Sequence, residues 1–217
     1  MTIHVLRLIG AVTRGISSRE KDGRPARVLV ATRTYDTSVE DLWDALTNPE
    51  RIPRWFLPIS GDLQLGGRYQ LEGNANGEIL QCEPPHHLGL TWGMHGQVSW
   101  VNVHLSEDPA GGTHLRLEHI AHVPDDLWDQ FGPGAVGVGW DQALFGLDQH
   151  LSTGASVSPK EAVAWLSSDE GRSFVRHSSE AWCTASIAAG TDPASARSAA
   201  EQTTAFYTGD EQGPMQT

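Results

Sequence analysis

The stretch of residues 28–49 reads VLVATRTYDTSVEDLWDALTNP and gives the first indication of the fold. Its first eight residues are rich in β-branched side chains, a composition typical of a strand, and 36–38 are turn residues. Ser38 stands three positions before Asp41, as in a helix N-cap, and apolar residues follow at helical spacing until Pro49. The stretch therefore predicts a strand followed at once by a short amphipathic helix.

Downstream of this helix, residues 63–122 alternate between apolar and polar side chains with a period of two. The alternation falls into five runs, each closed by turn residues, which cover 63–71, 78–83, 88–92, 99–105 and 113–122. Runs of this kind with short polar connections are typical of an antiparallel meander. Together with the first strand they predict a curved antiparallel sheet of six strands.

A long helix is predicted over 135–151, where four large apolar residues recur at i, i+4, i+7 and i+11 from Trp140. Such spacing places them on one side of a helix, suited to packing on a sheet. Beyond it, N-cap signals at Ser158, Ser168 and Asp192 predict a helical tail. The predicted fold class is α+β, a helix-grip order of strand, short helices, meander and long helix with a C-terminal helical extension.

The charges divide the chain into three parts. We take them as an N-terminal extension, the leader (1–27), the helix-grip domain (28–152), and the helical C-terminal extension, the tail (153–217). The first part has 6 Lys and Arg against 2 Asp and Glu, whereas the second has 5 against 17. Nucleic acid binding needs a cationic face, so no nucleic acid partner is expected for the acidic domain. The basic leader is interpreted as a solvated arm.

The sequence also limits the class of protein. Its longest apolar stretch, 3–12, contains Arg7 and is far shorter than the ~20 residues of a spanning helix, so no membrane span is predicted. No cleavage site follows it, and the two cysteines do not indicate an oxidising compartment. A cytoplasmic protein is predicted.

Known chemical motifs are weak in this chain. Residues 132–137 (GPGAVG) match the letters of the dinucleotide fingerprint, but the residues before them indicate a helix rather than the strand that this motif needs. Eight of the ten histidines lie between His86 and His150. No His-Glu-x-x-His motif or cysteine pair accompanies them, and His119 and His122 fall on opposite faces of a strand. No metal and no cofactor are predicted.

His119 is the exception among these histidines, because by alternation it shares a face with Leu115 and Leu117. An uncharged imidazole at this position could supply a polar group within an apolar pocket.

Seven segments of the chain resemble the SRPBCC (START-like) superfamily, and within it the bacterial stand-alone domains similar to the C-terminal domain of the activator of the heat-shock protein 90 ATPase. They are RTYD (33–36), VEDLWDALTNPE (39–50), WF (55–56), GGRY (66–69), CEPP (82–85), LTW (90–92) and GW (139–140). The resemblance spans 28–152 and implies a helix-grip fold. It leaves several functions open, because the superfamily includes carriers of lipids and hydrophobic ligands, polyketide cyclases and aromatases, and co-chaperone domains.

The leading hypothesis is the binding of a hydrophobic small molecule between the sheet and the long helix, without a catalytic residue. The residues expected at this site are Trp55, Phe56, Arg68, Tyr69, Leu71, Leu90, Trp92, Val103, Leu117, His119, Trp140 and Leu144. The alternatives are an enzyme of the cyclase or aromatase kind, using a positioned His or Arg, and a co-chaperone-like interaction domain. Partners other than the small molecule, namely a second copy of the chain or a chaperone, are left open.

Overall fold

The computed structural model describes residues 2–94 and 96–209. Eight antiparallel strands form one sheet in the order β1-β2-β8-β7-β6-β5-β4-β3. The strands are β1 Thr13–Lys21, β2 Arg24–Tyr35, β3 Ile59–Gly61, β4 Arg68–Leu71, β5 Asn76–Glu83, β6 His87–Met94, β7 Gln97–Glu107 and β8 Thr113–Ala121. The helices are α1 Thr2–Gly10, α2 Val39–Thr47, α3 Ile52–Trp55, α4 Asp125–Phe131, α5 Gly134–Thr153, α6 Pro159–Leu166, α7 Asp169–Ala188 and α8 Pro193–Thr208.

The open antiparallel sheet and its helices agree with the α+β helix-grip fold, but the prediction of six strands was wrong. One additional strand is the three-residue β3, which pairs with β4. The other is β1, which comes from the leader and pairs along its whole length with β2. The leader is therefore not a solvated arm.

The hairpin between β1 and β2 turns at Asp22 and Gly23, which both have positive φ (52° and 73°). Asp-Gly is a strong signal for a tight hairpin, because these residues tolerate that conformation. Strand β1 was not predicted from the sequence, because TRGISSREK contains one large apolar side chain, Ile16, and therefore shows no alternation. Ile16 packs against the main core, while the rest of this edge strand is polar.

The predicted helices are present, and their caps follow the sequence signals. The Ser38 side chain accepts a hydrogen bond from the Asp41 backbone N–H at the start of α2. Ser158 forms a capping box with Glu161 at α6, Ser168 caps α7 and Asp192 caps α8. Capping side chains satisfy backbone N–H groups that the first turn leaves unpaired, which is why these residues mark helix starts.

The main core lies between the concave face of the sheet and the helices α2, α5 and α7. It joins apolar residues of β2, β7 and β8 to Leu42 of α2, Leu144 and Leu147 of α5, and Trp182 of α7. The tail therefore contributes to the same core as the sheet. Gly137 of α5 faces the Trp182 indole so closely that a side chain there would overlap the ring.

A buried ionic contact ties the leader and the tail to the long helix. Asp141 Oδ2 on α5 accepts from Arg14 Nη2 of β1 at 2.9 Å, from Trp182 Nε1 of α7 at 3.1 Å, and from the Ser178 hydroxyl. Only 5% of the Arg14 side chain and 1% of the Asp141 side chain are exposed. A buried charge needs such partners, so this contact fixes the relative positions of β1, α5 and α7.

Candidate functional site: an apolar cavity under the long helix

A cavity of about 140 Å³ lies between the concave face of the sheet, helices α2 and α3, and α5. None of its lining residues carries a charge. Strand alternation turns one side chain in two of strands β4, β6, β7 and β8 toward the cavity, and α5 covers the side opposite the sheet.

Ten of the twelve residues expected at the site line this cavity: Trp55, Phe56, Tyr69, Leu71, Leu90, Trp92, Val103, Leu117, Trp140 and Leu144. They come from the α3 region, from strands β4, β6, β7 and β8, and from α5. The structure brings these separate segments together because each apolar stripe faces the same space.

Arg68 and His119 do not line the cavity. Arg68 is exposed, because it precedes the inward-facing Tyr69 on β4 and points to the opposite face. His119 does face the helix side of the sheet, but it lies behind the Trp140 ring, with the two ring centroids 5.8 Å apart. Neither side chain is thus placed to act as a polar anchor or as an acid or base on a molecule in the cavity, as the cyclase or aromatase hypothesis would require.

His119 instead belongs to a chain of hydrogen bonds behind the cavity wall. Trp140 Nε1 donates to His119 Nδ1 at 2.9 Å, and His119 Nε2 lies 2.8 Å from Ser99 Oγ. The Ser99 hydroxyl donates to the Trp92 carbonyl at 3.1 Å. Because an indole N–H can only donate, His119 must be neutral with its proton on Nε2. Burial lowers the pKa of His119 to about 4, which keeps the ring neutral at pH 7.

Several side chains of the wall direct their polar atoms into the protein rather than into the cavity. Tyr69 Oη donates to the Thr91 carbonyl at 2.7 Å, and Trp55 Nε1 donates to the Ala45 carbonyl at 2.9 Å. Burial raises the pKa of the Tyr69 hydroxyl, so it stays protonated and continues to donate. Thus these aromatic side chains present carbon surface to the cavity.

The aromatic rings meet in two groups. Trp92 and Trp140 lie with their centroids 5.1 Å apart and their planes tilted by 55°, while Trp55 and Phe56 stack at 5.4 Å and 22°. Both arrangements are within the range that aromatic pairs favour. All four rings line the cavity.

Cys82 was not predicted, yet it lines the cavity together with Ile79, although strict alternation along β5 would place the two on opposite faces. The pairing of β5 with β6 shifts register between Ile79 and Gln81. This bulge adds one residue to β5, so the side chains after it lie on the opposite face from the one that strict alternation predicts. No signal in the sequence marks it.

The other lining residues that were missed are apolar neighbours with the same periodicity, apart from Thr47, whose hydroxyl donates to the Trp43 carbonyl. Extending the strand and helix patterns would have found most of them. They are Leu46, Thr47, Ile52, Ile59, Leu63, Ile79, Leu88, Val101, Leu115, Ala143 and Leu147.

The outer face of the sheet carries a second group of histidines. His87 of β6 stacks on His104 of β7, with ring centroids 4.1 Å apart. Burial and the neighbouring His87 lower the pKa of His104. Over residues 2–94 and 96–209, no three His, Cys, Asp or Glu side chains are grouped so that they could hold a metal ion.

The segment 132–137 is not a phosphate-binding loop. It follows α4 rather than a strand, and Gly132 (φ 57°) ends that helix. None of the helices in the part of the chain that the structure describes combines the length and the apolar character that crossing a membrane requires.

The similarity to some solved structures covers more of the chain than residues 28–152. CalU16 from Micromonospora echinospora is 35% identical in its crystal structure, with a TM-score of 0.63 over 81% of this chain and 98% of CalU16. Its solution NMR structure gives 33% identity and a TM-score of 0.69 over 83% of this chain and 97% of CalU16. MLL2253 from Mesorhizobium loti is 29% identical, with a TM-score of 0.51 over 58% of this chain and 97% of MLL2253.

DynU16, a protein in the dynemicin biosynthetic locus, is 22% identical, with a TM-score of 0.50 over 59% of this chain and 48% of DynU16, and shows a similar fold. No curated protein matches the chain. The family model of the activator of Hsp90 ATPase homolog 1-like proteins matches residues 36–152, which is more than half of the chain. The predicted resemblance is thereby confirmed, and this chain belongs to the activator of Hsp90 ATPase homolog 1-like family.

Proposed function

We propose that this protein binds a hydrophobic small molecule in the cavity between the sheet and α5. The observation that supports this most is the cavity itself, which has an apolar wall that includes five aromatic side chains. Binding sites for small molecules are typically concave and mostly apolar. Such a site favours a ligand through the removal of apolar surface from water.

The volume of the cavity gives an approximate value for the free energy that a ligand can gain by filling it. Protein interiors are close-packed, and a residual cavity destabilises a core by ~24 cal/mol per Å³. For a cavity of about 140 Å³ this amounts to roughly 3 kcal/mol. A ligand of matching shape recovers this contribution on binding, and its binding should therefore raise the melting temperature of the protein.

Ala143 offers a direct test, because it lies on α5, lines the cavity and is buried. Ala143→Leu should fill part of the cavity and abolish binding of apolar ligands, measured as quenching or a shift of tryptophan fluorescence. Ala135→Leu is the matched control, since Ala135 is exposed on the same helix. Native mass spectrometry of the freshly purified protein would show whether a molecule accompanies it.

Two outcomes would contradict the proposal. One is that no compound in a broad apolar panel binds the unaltered protein. The other is that Ala143→Leu lowers stability by the ~1–3 kcal/mol typical of an overpacked core, which would mean that no cavity is available to fill.

A chaperone partner stays a prediction for this chain. It is supported by the name of the family, whose model describes an activator of the Hsp90 ATPase. A pull-down that retains no chaperone on the full chain would contradict that prediction.

A further inference from the structure

The chemistry of the cavity wall narrows the class of ligand, on the basis of the proposed binding function. Polar groups on a ligand need hydrogen-bond partners when they leave water. The buried polar side-chain atoms that lack a partner in the described part of the chain belong to Arg33, Asp141, Gln142 and Ser179. None of these four residues lines the cavity.

The buried cations Arg14 and Arg33, on the helix side of the sheet, are each paired with a carboxylate of α5. Arg33 pairs with Asp148, and its guanidinium lies 5.0 Å from the centre of the Tyr35 ring. Arg14 pairs with Asp141 in the contact between β1 and α5. Neither cation faces the cavity, so a carboxylate or phosphate on a ligand would be buried there without a counterion.

The volume limits the size of the ligand. An engineered cavity of ~150 Å³ in another protein stays dry and binds benzene. The cavity of about 140 Å³ under α5 is therefore sized for one six-membered ring with at most a short substituent. A long acyl chain exceeds this volume, so part of the chain would remain outside the cavity.

The walls also favour a flat ring over a saturated one. Trp92 and Trp140 are tilted by 55° to each other, whereas Trp55 and Phe56 are stacked. A planar aromatic guest can place its edge against one ring face and its own face against another, the arrangements that aromatic groups prefer. A saturated ring of similar size fills the same space without these contacts.

From these four observations we infer that the cavity binds an uncharged aromatic ring of about six to ten non-hydrogen atoms. An ionised group inside the cavity would lack a counterion, so charged ligands, including fatty acids, are expected to bind more weakly. The ligand enters the cavity with its ring, and any polar substituent weakens binding because it meets no partner there.

Toluene, benzamide, benzoate and cyclohexane form a panel that tests each part of this inference at pH 7. The readout is the NMR signal of the Trp140 indole N–H, assigned by its loss in Trp140→Phe. Increasing concentrations of toluene should shift this signal until the shift reaches a plateau. Benzamide should bind about 10-fold more weakly and benzoate about 100-fold more weakly, because an amide buried without a partner loses its hydrogen bonds to water and a buried charge loses more. Cyclohexane should bind more weakly than toluene, and Ala143→Leu should abolish the toluene effect.

The outcomes separate this inference from the proposed function. If benzoate binds as tightly as toluene, and Ala143→Leu abolishes that binding, the cavity is a ligand site but the uncharged class is wrong. Equal binding of cyclohexane and toluene would overturn the preference for aromatic rings. If toluene fails to bind while a larger apolar compound binds in an Ala143→Leu-sensitive way, the size limit is wrong and the binding function stands.

Discussion

Trp140 Nε1 donates a hydrogen bond to His119 Nδ1 at 2.9 Å, so an aromatic wall of the cavity is held from behind by a neutral imidazole. The imidazole is in turn fixed by Ser99, whose Oγ lies 2.8 Å from His119 Nε2. His119 is thus a positioning residue for Trp140. Protonation of Nδ1 would break this hydrogen bond, which couples the cavity wall to pH.

The first prediction concerns the pH dependence of stability. His119 has a pKa of about 4 in the folded protein, below the usual 6.5, because of burial. The unfolded chain therefore binds more protons between these values, and the free energy of unfolding falls as the pH falls from 6.5 to 4. The slope is up to ~1.4 kcal/mol per pH unit, or about 3 kcal/mol in total. Urea unfolding at a series of pH values measures it.

His119→Gln is the informative variant for this prediction. Its amide oxygen can accept from Trp140 and its nitrogen can donate to Ser99, without titrating. The variant should lose most of the dependence above pH 4, whereas His104→Gln on the outer face should lose a smaller part, because burial and His87 also lower the pKa of His104. Parallel curves for wild type and His119→Gln would show that another group is responsible.

The second prediction concerns the buried contact between Arg14 and Asp141. Asp141→Ala leaves the Arg14 charge buried without its partner, so the free energy of unfolding should fall by ~3–5 kcal/mol in denaturant titrations. The control is Arg19→Met on the same strand, because Arg19 is 46% exposed and lies 3.6 Å from Glu118. An exposed pair contributes ~0–1 kcal/mol. Equal effects of the two variants would argue against a role of Asp141 in joining leader, long helix and tail.

The third prediction concerns Gly146 of α5. A Cβ atom at this position would lie 2.5 Å from the Trp55 carbonyl oxygen, so Gly146→Ala must displace α3 from α5. We expect a loss of ~1–3 kcal/mol in stability, as in overpacked cores, and weaker binding of apolar ligands because Trp55 lines the cavity. Gly10→Ala, with no atom near its Cβ, should leave the melting temperature unchanged or slightly higher. A stable Gly146→Ala variant with unaltered binding would contradict this packing.

The fourth prediction uses the thiol of Cys82 as a reporter of the cavity. A neutral benzyl methanethiosulfonate should modify Cys82 faster than a charged sulfonatoethyl reagent, after correction for their rates with a free thiol. Toluene should slow the reaction, because it competes for the same space. Mass spectrometry should show that Cys82→Ser abolishes this label. Cys183→Ser should retain it, since the Cys183 thiol is buried in α7 and burial raises its pKa. Equal rates for both reagents would indicate a polar, open site.

Local periodicity in the sequence was sufficient to predict most of the strands and helices and most of the residues in the cavity wall. The alternation around Tyr69, Leu90 and Leu117 and the helical spacing of Trp140 and Leu144 identify the faces that turn inward, because a strand repeats every two residues and a helix every 3.6. The helix starts were equally local, since a capping side chain bonds to backbone within three residues of itself.

Other features depend on residues far apart in the chain and emerge only in the folded protein. Arg14 and Asp141 are separated by 127 positions. His119 has the inward alternation of a cavity residue, but the packing of α5 places Trp140 in front of it. The register shift in β5 turns Cys82 inward, and the pairing of β1 with β2 adds a strand whose own sequence is nearly all polar. Local sequence determines which face a side chain takes. The packing of distant segments determines how deeply that side chain is buried and which groups form hydrogen bonds with its polar atoms.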